Sequence, residues 1–497
     1  MQQVGNGAGI DWLSDPDSAF ARARARGRPL LLYWGVDWSP PCSRLCATVF
    51  QRADFAALAD RMVALRIDGD AAGAQHSAER FGVRNYPTVI VYRADGSEIT
   101  RLPVQLAPER FVALLAVALA APVNVAQSLS AALSRERALA DDEWRLLSFY
   151  AWDADERQVL KGLDFAAALA SMKSGCTLPE AALRLEWHAV AMSGKGGINK
   201  RAAVAWLERI LADPQAVAAQ MDIAIAYAVD LVRYLSAPQS AARTGLANAW
   251  AAALARLELD PDVGVADQLA ALGARVCLWR LGATLPHMDA LARERVAAAL
   301  DGAAASLAAA SLAASSAAVN STAANSTGAN SPAGVDTNYS LLRHQLVATG
   351  AAALADAGLL DEAEQLLRAA LAGSHAPFYF MHRLAAIAKK RGDPVAALRW
   401  YEQAWGQARG AATRLQWGAA YLQGLVDFAP AEAPRIDRVA GELLAELGVM
   451  HDAHCQRNRA QLQRIDSKLS LWRGGGEQAA ALRRVARGTP LLGGTPL

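Results

Sequence analysis

The chain has 497 residues and a net charge of +2, with 20% charged and 53% hydrophobic residues. The near-neutral charge argues against a dedicated nucleic-acid-binding protein, and the length predicts two or three domains. Charged or polar residues interrupt every apolar stretch of about 18 residues, so we expect no membrane span. The first residues lack the basic and apolar regions of a secretory signal, which favours a cytoplasmic protein. The alternative is a periplasmic protein whose natural start lies upstream.

Helical and strand patterns alternate over the first 120 residues. Two apolar runs separated by a helix predict a parallel strand pair, and the turn at 94–97 predicts a following β-hairpin. The predicted elements are a helix over 17–26, a strand over 30–34, a helix from 41, a short helix over 55–61, a strand over 62–68, a helix over 76–81, strands over 88–92 and 98–102, and a helix over 108–119.

A thiol stands where the first buried strand gives way to a helix. The segment Trp38-Ser39-Pro40-Pro41-Cys42 follows the strand, and Cys46 lies one helical turn after Cys42. Free N–H groups at a helix start stabilise a thiolate, so this junction suits thiol chemistry. Residues at i and i+4 have Cβ atoms about 5 to 6 Å apart, whereas a disulfide needs about 3.5 to 4.5 Å. A Cys42–Cys46 bond would therefore need local unwinding.

This junction resembles the W-C-x-x-C site of the thioredoxin superfamily, with Ser39 in place of the first cysteine. A second resemblance lies at residues 81–88, similar to the family's G-[IV]-x-x-x-P-T segment, in which the proline faces the active-site helix. Residues 20–34 are similar to the branch that contains the terminal domain of bacterial disulfide-interchange proteins. Over residues 10–120 the resemblance implies an α/β thioredoxin-like domain.

The resemblance also implies which residues would carry chemistry. Cys42 would be the reactive thiol, because Ser39 cannot perform the thiol's attack on a disulfide. Tyr33 stands where many thioredoxins have a buried aspartate that assists proton transfer. The expected catalytic residues are Cys42 and Cys46, and the expected substrate-binding residues are Trp38, Ser39, Pro40, Pro41, Tyr86 and Pro87.

Three hypotheses remain for the two thiols. In the first, Cys42 is a relic thiol and Cys46 is an incidental helix residue. In the second, Cys42 attacks a client disulfide and Cys46 resolves the mixed disulfide. In the third, both thiolates bind a soft metal such as Cu(I). His76 is the domain's histidine, and we expect it to be solvated. We therefore predict no metal site and no cofactor.

From residue 122 onwards, helical periodicity dominates. Similar sequences begin at Gly358 and Gly392, which are 34 residues apart. Small residues at 351, 385 and 419 have the same 34-residue spacing. A 34-residue helix–turn–helix unit resembles the tetratricopeptide repeat. The predicted organisation is a thioredoxin-like domain at 1–121, a helical domain with degenerate repeats at 122–301, a low-complexity linker at 302–335, tetratricopeptide-like repeats at 336–473 and a flexible basic tail at 474–497.

Two functions from different classes follow. The leading hypothesis is a thiol–disulfide oxidoreductase-like protein that acts on client protein thiols or disulfides through Cys42, with the repeats recruiting the client. The alternative is a non-catalytic adaptor or scaffold whose thioredoxin fold only binds protein partners. Neither hypothesis involves nucleic acid or a membrane.

Overall fold

The computed structural model describes residues 10–154, 159, 163–192, 199–320 and 332–488. Five strands occur, β1 Trp12–Leu13, β2 Leu30–Gly35, β3 Val63–Asp68, β4 Thr88–Tyr92 and β5 Glu98–Leu102. The helices from the same part of the chain are α1 Pro16–Arg26, α2 Pro40–Thr48, α3 Ala53–Ala56, the 3₁₀ helix Ala59–Arg61, α4 Ala74–Phe81 and α5 Pro108–Ala120.

Helices account for the rest of the described chain. They are α6 Val125–Ser134, α7 Asp141–Ser148, α8 Phe165–Gly175, α9 Pro179–Met192, α10 Lys200–Ala212, α11 Pro214–Ala219, α12 Met221–Ala226, α13 Ala228–Leu235, α14 Ala241–Leu259, α15 Val265–Arg280, α16 Met288–Asn320, α17 Pro332–Ala357, α18 Leu360–Leu371, α19 Pro377–Lys390, α20 Pro394–Gln407, α21 Ala411–Phe428, α22 Ala433–Leu447, α23 Gln456–Leu471 and α24 Glu477–Ala486.

The five strands form one sheet in the order β1-β3-β2-β4-β5. The central strand β2 is buried at every position, as its continuous apolar sequence predicts. β1 runs parallel to β3, and β4 pairs with β5 in the predicted antiparallel hairpin. The α/β thioredoxin-like fold followed by an all-helical region is confirmed. The two-residue strand β1 was not predicted, because so short a segment leaves no periodic pattern.

Contacts divide the chain into two compact units. The first unit comprises residues 1–33, 40–66 and 87–363, and the second comprises 34–39, 67–86 and 364–497. Two short segments of the predicted thioredoxin-like domain thus group with the C-terminal helices. A division at residue 121 does not describe this arrangement.

In the first unit, one hydrophobic core runs from the sheet into the helical region. It contains Val89 of β4, Leu115 of α5, Leu147 of α7 and Leu185 of α9. A second core is built by α9 to α15 around Trp187 and Trp250. Because the sheet and helices α5 to α9 share apolar contacts, the predicted boundary at 121 falls inside a common core.

The 34-residue step corresponds to a repeated helix–turn–helix geometry. Gly358 and Gly392 both lie between consecutive helices and have φ angles of +92° and +74°, which glycine adopts without strain. The small residues Ala351, Ala385 and Ala419 are at most 3% exposed. Small buried side chains at this spacing allow neighbouring helices to approach closely.

Two predicted irregular segments contain helices. Helix α16 extends to Asn320, into the predicted linker 302–335, because alanine favours helix even without a large apolar face. Residues 321–331 lie outside the described residues. Within the predicted flexible tail, α24 buries Ala479, Leu482 and Val485. Its i, i+3, i+6 apolar spacing allows α24 to pack on α22 and α23.

The described helices include one that could cross a membrane by length and composition. It is Met288–Leu312, with 11% of its most apolar window buried. The adjoining helices Pro108–Ala120 and Val125–Ser134 pass the same test only as a pair, and they are bent by 84°. A single helix of this kind is weak support for a membrane span, so none is evident.

The hydrogen bonds to the buried carboxylate of Glu143 make the stability of the fold depend on pH. Glu143 accepts hydrogen bonds from Arg137, Ser128 and the N–H of Ala140. The hydrogen bonds from Arg137, supported by those from Ala140 and Ser128, lower the pKa of Glu143 from 4.5 to about 2. A lowered carboxyl pKa stabilises the fold above the unfolded value and loses that contribution as the pH falls towards 2.

We therefore expect Glu143→Gln to reduce the free energy of unfolding at pH 7. The difference from wild type should shrink as the pH falls from 4.5 to about 2. Urea unfolding at a series of pH values measures this difference. Glu136→Gln, at an exposed neighbouring site, is the control and should change little. If the loss of unfolding free energy in Glu143→Gln stayed constant down to pH 2, it would contradict a lowered pKa of Glu143.

Candidate functional site

The indole of Trp38 lies at the centre of a polar network in the second unit. Its Nε1 donates to Asp70 Oδ2 at 2.8 Å and is 2.9 Å from Thr413 Oγ1. Thr413 donates in turn to Asp70 Oδ1 at 2.5 Å. The Arg457 guanidinium donates to the same Asp70 oxygen at 3.3 Å. Three groups from distant parts of the sequence therefore converge on the Asp70 carboxylate.

Arg457 also packs on the aromatic rings around this carboxylate. Its guanidinium carbon lies 5.0 Å from the ring centre of Trp38 and 5.2 Å from that of Tyr86. The Arg457 and Asp70 side chains are 9% and 11% exposed. Burial raises the pKa of Asp70 above its ordinary value, while the Arg457 charge opposes that rise. The pair is thus held largely out of water.

Two features of the backbone make this close arrangement possible. An added Cβ at Gly410 would lie 2.6 Å from the Cβ of Asp70, and Gly410 has a φ of +82°. An added Cβ at Gly69 would lie 2.3 Å from the Tyr86 ring. A side chain at either glycine would push apart groups that the network holds together.

The predicted substrate-binding residues are placed as follows. Trp38 is half-buried, and Ser39 is buried at 5% exposure. Tyr86 stacks on Trp34 with ring centres 5.6 Å apart, and its hydroxyl accepts a hydrogen bond from Gln75 Nε2. The remaining three are prolines, of which Pro40 and Pro87 are buried and Pro41 is half-buried. Of the six, Ser39, Pro40 and Pro87 are therefore buried, and Trp38, Pro41 and Tyr86 are half-buried.

The two predicted catalytic thiols lie inside the first unit. Cys42 is 1% exposed and Cys46 is 5% exposed. Helix α17 packs against α2, the helix that carries both thiols. The Cys46 sulfur lies 3.6 Å from the Tyr33 hydroxyl. Burial and the nearby Cys42 and Cys46 raise the pKa of Tyr33 well above its ordinary value, so this phenol stays protonated.

Helix α2 is held in place by a buried arginine between the two cysteines. Arg44 donates to the carbonyl oxygens of Val104 and Leu106, at 3.2 and 3.1 Å. It also forms a 2.6 Å ion pair with Asp267 of α15, and both side chains are at most 13% exposed. These bonds fix the helix, so exposing Cys42 would require breaking buried polar contacts.

A groove with a volume of about 500 Å³ opens beside Trp38 in the second unit. Trp38 stacks on Tyr379, with ring centres 6.1 Å apart, and meets Trp417 edge-on at 5.8 Å. Helices α19, α20, α21 and α23 supply the rest of the lining. Its aromatic members are Trp38, Tyr379, Tyr401, Trp417 and Phe428.

The groove combines aromatic walls with positive charge. Arg383 lies 5.4 Å from the Tyr379 ring centre, and Lys389 lies 5.7 Å from that of Phe428. Arg464 is the third cationic side chain that lines the groove, and Asp427 is the carboxylate in the lining. Asp427 also forms an ion pair with Lys468. Burial lowers the pKa of the lining His382 to about 4, so His382 is neutral at pH 7.

Sequence reasoning identified Trp38 and Tyr86 but missed the groups that hold them. Asp70 follows a strand in an ordinary turn, and Arg457 lies on a polar helix 387 residues later. Nothing local distinguishes either residue. The buried Arg44 carried one signal, an arginine between the two cysteines of the motif helix.

We expect Asp70→Ala to lower the free energy of unfolding by about 3 kcal/mol, because it leaves the Arg457 charge buried without its carboxylate. Urea unfolding followed by tryptophan fluorescence measures the loss. Asp60→Ala, at an exposed site of the same α/β region, should change stability by less than about 0.5 kcal/mol. Equal stability of both variants would contradict a stabilising role for Asp70.

We also expect a sharp difference in thiol reactivity. In the native protein, a brief pulse of maleimide should modify the partly exposed Cys176, Cys277 and Cys455 well before Cys42 and Cys46. In denaturant, all five should react. Peptide mass spectrometry assigns the sites. Native labelling of Cys42 as fast as that of Cys455 would show that the thiol is accessible.

Comparison with known proteins finds a family match in the N-terminal part of the chain. A solved structure named DsbH Oxidoreductase shares 17% identity, covering 24% of this chain and 90% of its own, with a TM-score of 0.21. No curated protein matches the chain. Residues 11–94 match the family Thioredoxin_7, described as thioredoxin-like. This part of the chain is therefore thioredoxin-like in sequence as well as in strand and helix order.

Proposed function

We propose that this protein is a non-catalytic, thioredoxin-fold binding protein. Its groove beside Trp38 would bind an extended segment of a partner protein. The observation that carries the proposal is the position of Trp38. Its indole packs against Tyr379 and Trp417 and forms a wall of the groove. The thiol expected to do chemistry, Cys42, is meanwhile 1% exposed.

The lining favours a segment that combines acidic and apolar side chains. Three cationic side chains, Arg383, Lys389 and Arg464, outnumber the carboxylate of Asp427. Asp427 is in turn paired with Lys468, which leaves the groove positive. Aromatic walls bury apolar side chains, and the cations attract carboxylates and steer their approach. A volume of about 500 Å³ lies within the range of ligand-holding clefts.

The helices that line the groove support a repeat-based mode of binding. We propose that the 34-residue units at Gly358 and Gly392 are tetratricopeptide-like. Their paired helices resemble a solenoid, and solenoids present concave surfaces to partners. From the sequence, recruitment of the client by the repeats belongs to the oxidoreductase hypothesis, and the present proposal extends it to a non-catalytic protein.

Dithiol chemistry through Cys42 and Cys46 has less support. A resolving thiol must reach the mixed disulfide, and an attacking thiol must reach a client. Both cysteines are buried on α2, which packs against α17, and Arg44 holds this helix through its ion pair with Asp267. Turnover would require this packing to open in each cycle. The oxidoreductase hypothesis therefore stands as the second candidate, and the labelling experiment above bears on it.

Peptide binding to the full-length protein tests the proposal. We expect a fluorescent peptide rich in Glu and Leu to bind with a salt-sensitive affinity, and a peptide with Lys in place of Glu to bind at least about tenfold more weakly. Fluorescence anisotropy at low and physiological salt measures both affinities.

Charge reversal locates the binding surface. The double variant Arg383→Glu, Lys389→Glu should lose at least about tenfold in affinity for the acidic peptide. Lys390→Glu is the matched control, because Lys390 is exposed on the same helix but does not line the groove. Equal binding of acidic and basic peptides, or an unchanged affinity of the double variant, would refute the proposed occupant.

A further inference from the structure

Three potential metal ligands meet in the second unit, and none of them lines the groove. They are His76 and Glu79 of α4 and Cys455, which directly precedes α23. One ligand atom from each residue lies within 4.8 Å of the other two. His76 and Glu79 are three residues apart on one helix, so their side chains share a face. The three residues come from opposite ends of the sequence.

A hydrogen-bonded frame holds the two ligand-bearing segments together. The N–H of Gln75 donates to Asp452 Oδ2 at 2.9 Å, and the N–H of Arg457 donates to Gln75 Oε1 at 3.2 Å. Asn458 donates to the Asp452 carbonyl oxygen at 3.1 Å. Gln75 directly precedes His76, and Cys455 lies between Asp452 and Arg457. The ligands are thus mounted on a preorganised support, as metal sites require.

Local details around Cys455 and Glu79 also suit a ligand site. The Cys455 sulfur and a Glu79 carboxylate oxygen lie within 4.8 Å of each other. Arg459 donates to one oxygen of Glu79, and such a second contact orients a ligating carboxylate. Gln456, directly after Cys455, has a φ of +34°. Non-glycine residues rarely adopt this conformation, and such strain concentrates at functional sites.

The donor set selects the metal. Thiolate sulfur, imidazole nitrogen and carboxylate oxygen together form a typical environment for Zn²⁺, whereas Mg²⁺ and Ca²⁺ prefer oxygen alone. Zinc lies about 2.0 to 2.3 Å from such ligands, which places tetrahedral ligand atoms about 3.3 to 3.8 Å apart. Side-chain rotations that move each ligand atom by roughly 1 Å would bring the three atoms to that geometry.

We propose that His76, Glu79 and Cys455 form a Zn²⁺ site. Zn²⁺ binds the thiolate of Cys455, so the thiol releases one proton to solvent as the Zn–S bond forms. Glu79 ligates as a carboxylate and His76 as a neutral imidazole. His76 is exposed, so water completes the fourth position. The metal joins α4 to the start of α23.

Metal titration of the full-length protein tests this site. After chelator treatment and dialysis, we expect the protein to bind one equivalent of Zn²⁺ in competition with a chromophoric chelator. Cys455→Ser and His76→Ala should each weaken binding by at least about tenfold. Co²⁺ should give a thiolate charge-transfer band with the wild type that Cys455→Ser lacks. Circular dichroism checks that both variants fold.

Cys176→Ser is the matched control, because it removes another half-buried thiol elsewhere in the chain. This variant should keep the wild-type stoichiometry, affinity and Co²⁺ band. Absence of stoichiometric zinc binding by the wild type would overturn the proposal. Wild-type affinity in both the Cys455→Ser and His76→Ala variants would overturn it as well.

Discussion

The Asp70 carboxylate is the constraint on which the second unit depends. A buried carboxylate is unfavourable unless hydrogen bonds and an opposite charge compensate it. Here Trp38, Thr413 and Arg457 all donate to it. Satisfying one charge therefore fixes an indole, a helix and a guanidinium relative to one another. The groove exists because that arrangement leaves one face of the Trp38 ring beside Tyr379.

The same tryptophan lies at the junction between β2 and α2, and the proposed binding function depends on it. In a dithiol enzyme, the residues beside the helix start must remain open to a client. In this chain Ser39 stands beside the helix start, α17 packs against the helix with Cys42 and Cys46, and Arg44 anchors that helix. These contacts keep Cys42 and Cys46 buried, which favours the proposed binding function over the redox hypothesis.

The sequence predicted those features whose causes are local. Strands β2 to β5 follow from short apolar runs and turn residues, and the motif helix from its position after Trp38. The partners of that motif could not be predicted, because Thr413 and Arg457 lie on helices with ordinary amphipathic patterns. His76 was expected to be solvated, and it is exposed. Its proximity to Cys455 depends on chain packing that no single-sequence pattern encodes.

The distance along the chain between Asp70 and its partners has a consequence for the order of folding. Thr413 follows Asp70 by 343 residues, and Arg457 follows it by 387. Closing so long a loop costs about 5 kcal/mol of chain entropy before any contact is gained. During synthesis, Asp70 and Trp38 leave the ribosome long before α21 and α23 exist. The second unit can therefore form only after nearly the whole chain has been made, in a late step that joins its two ends.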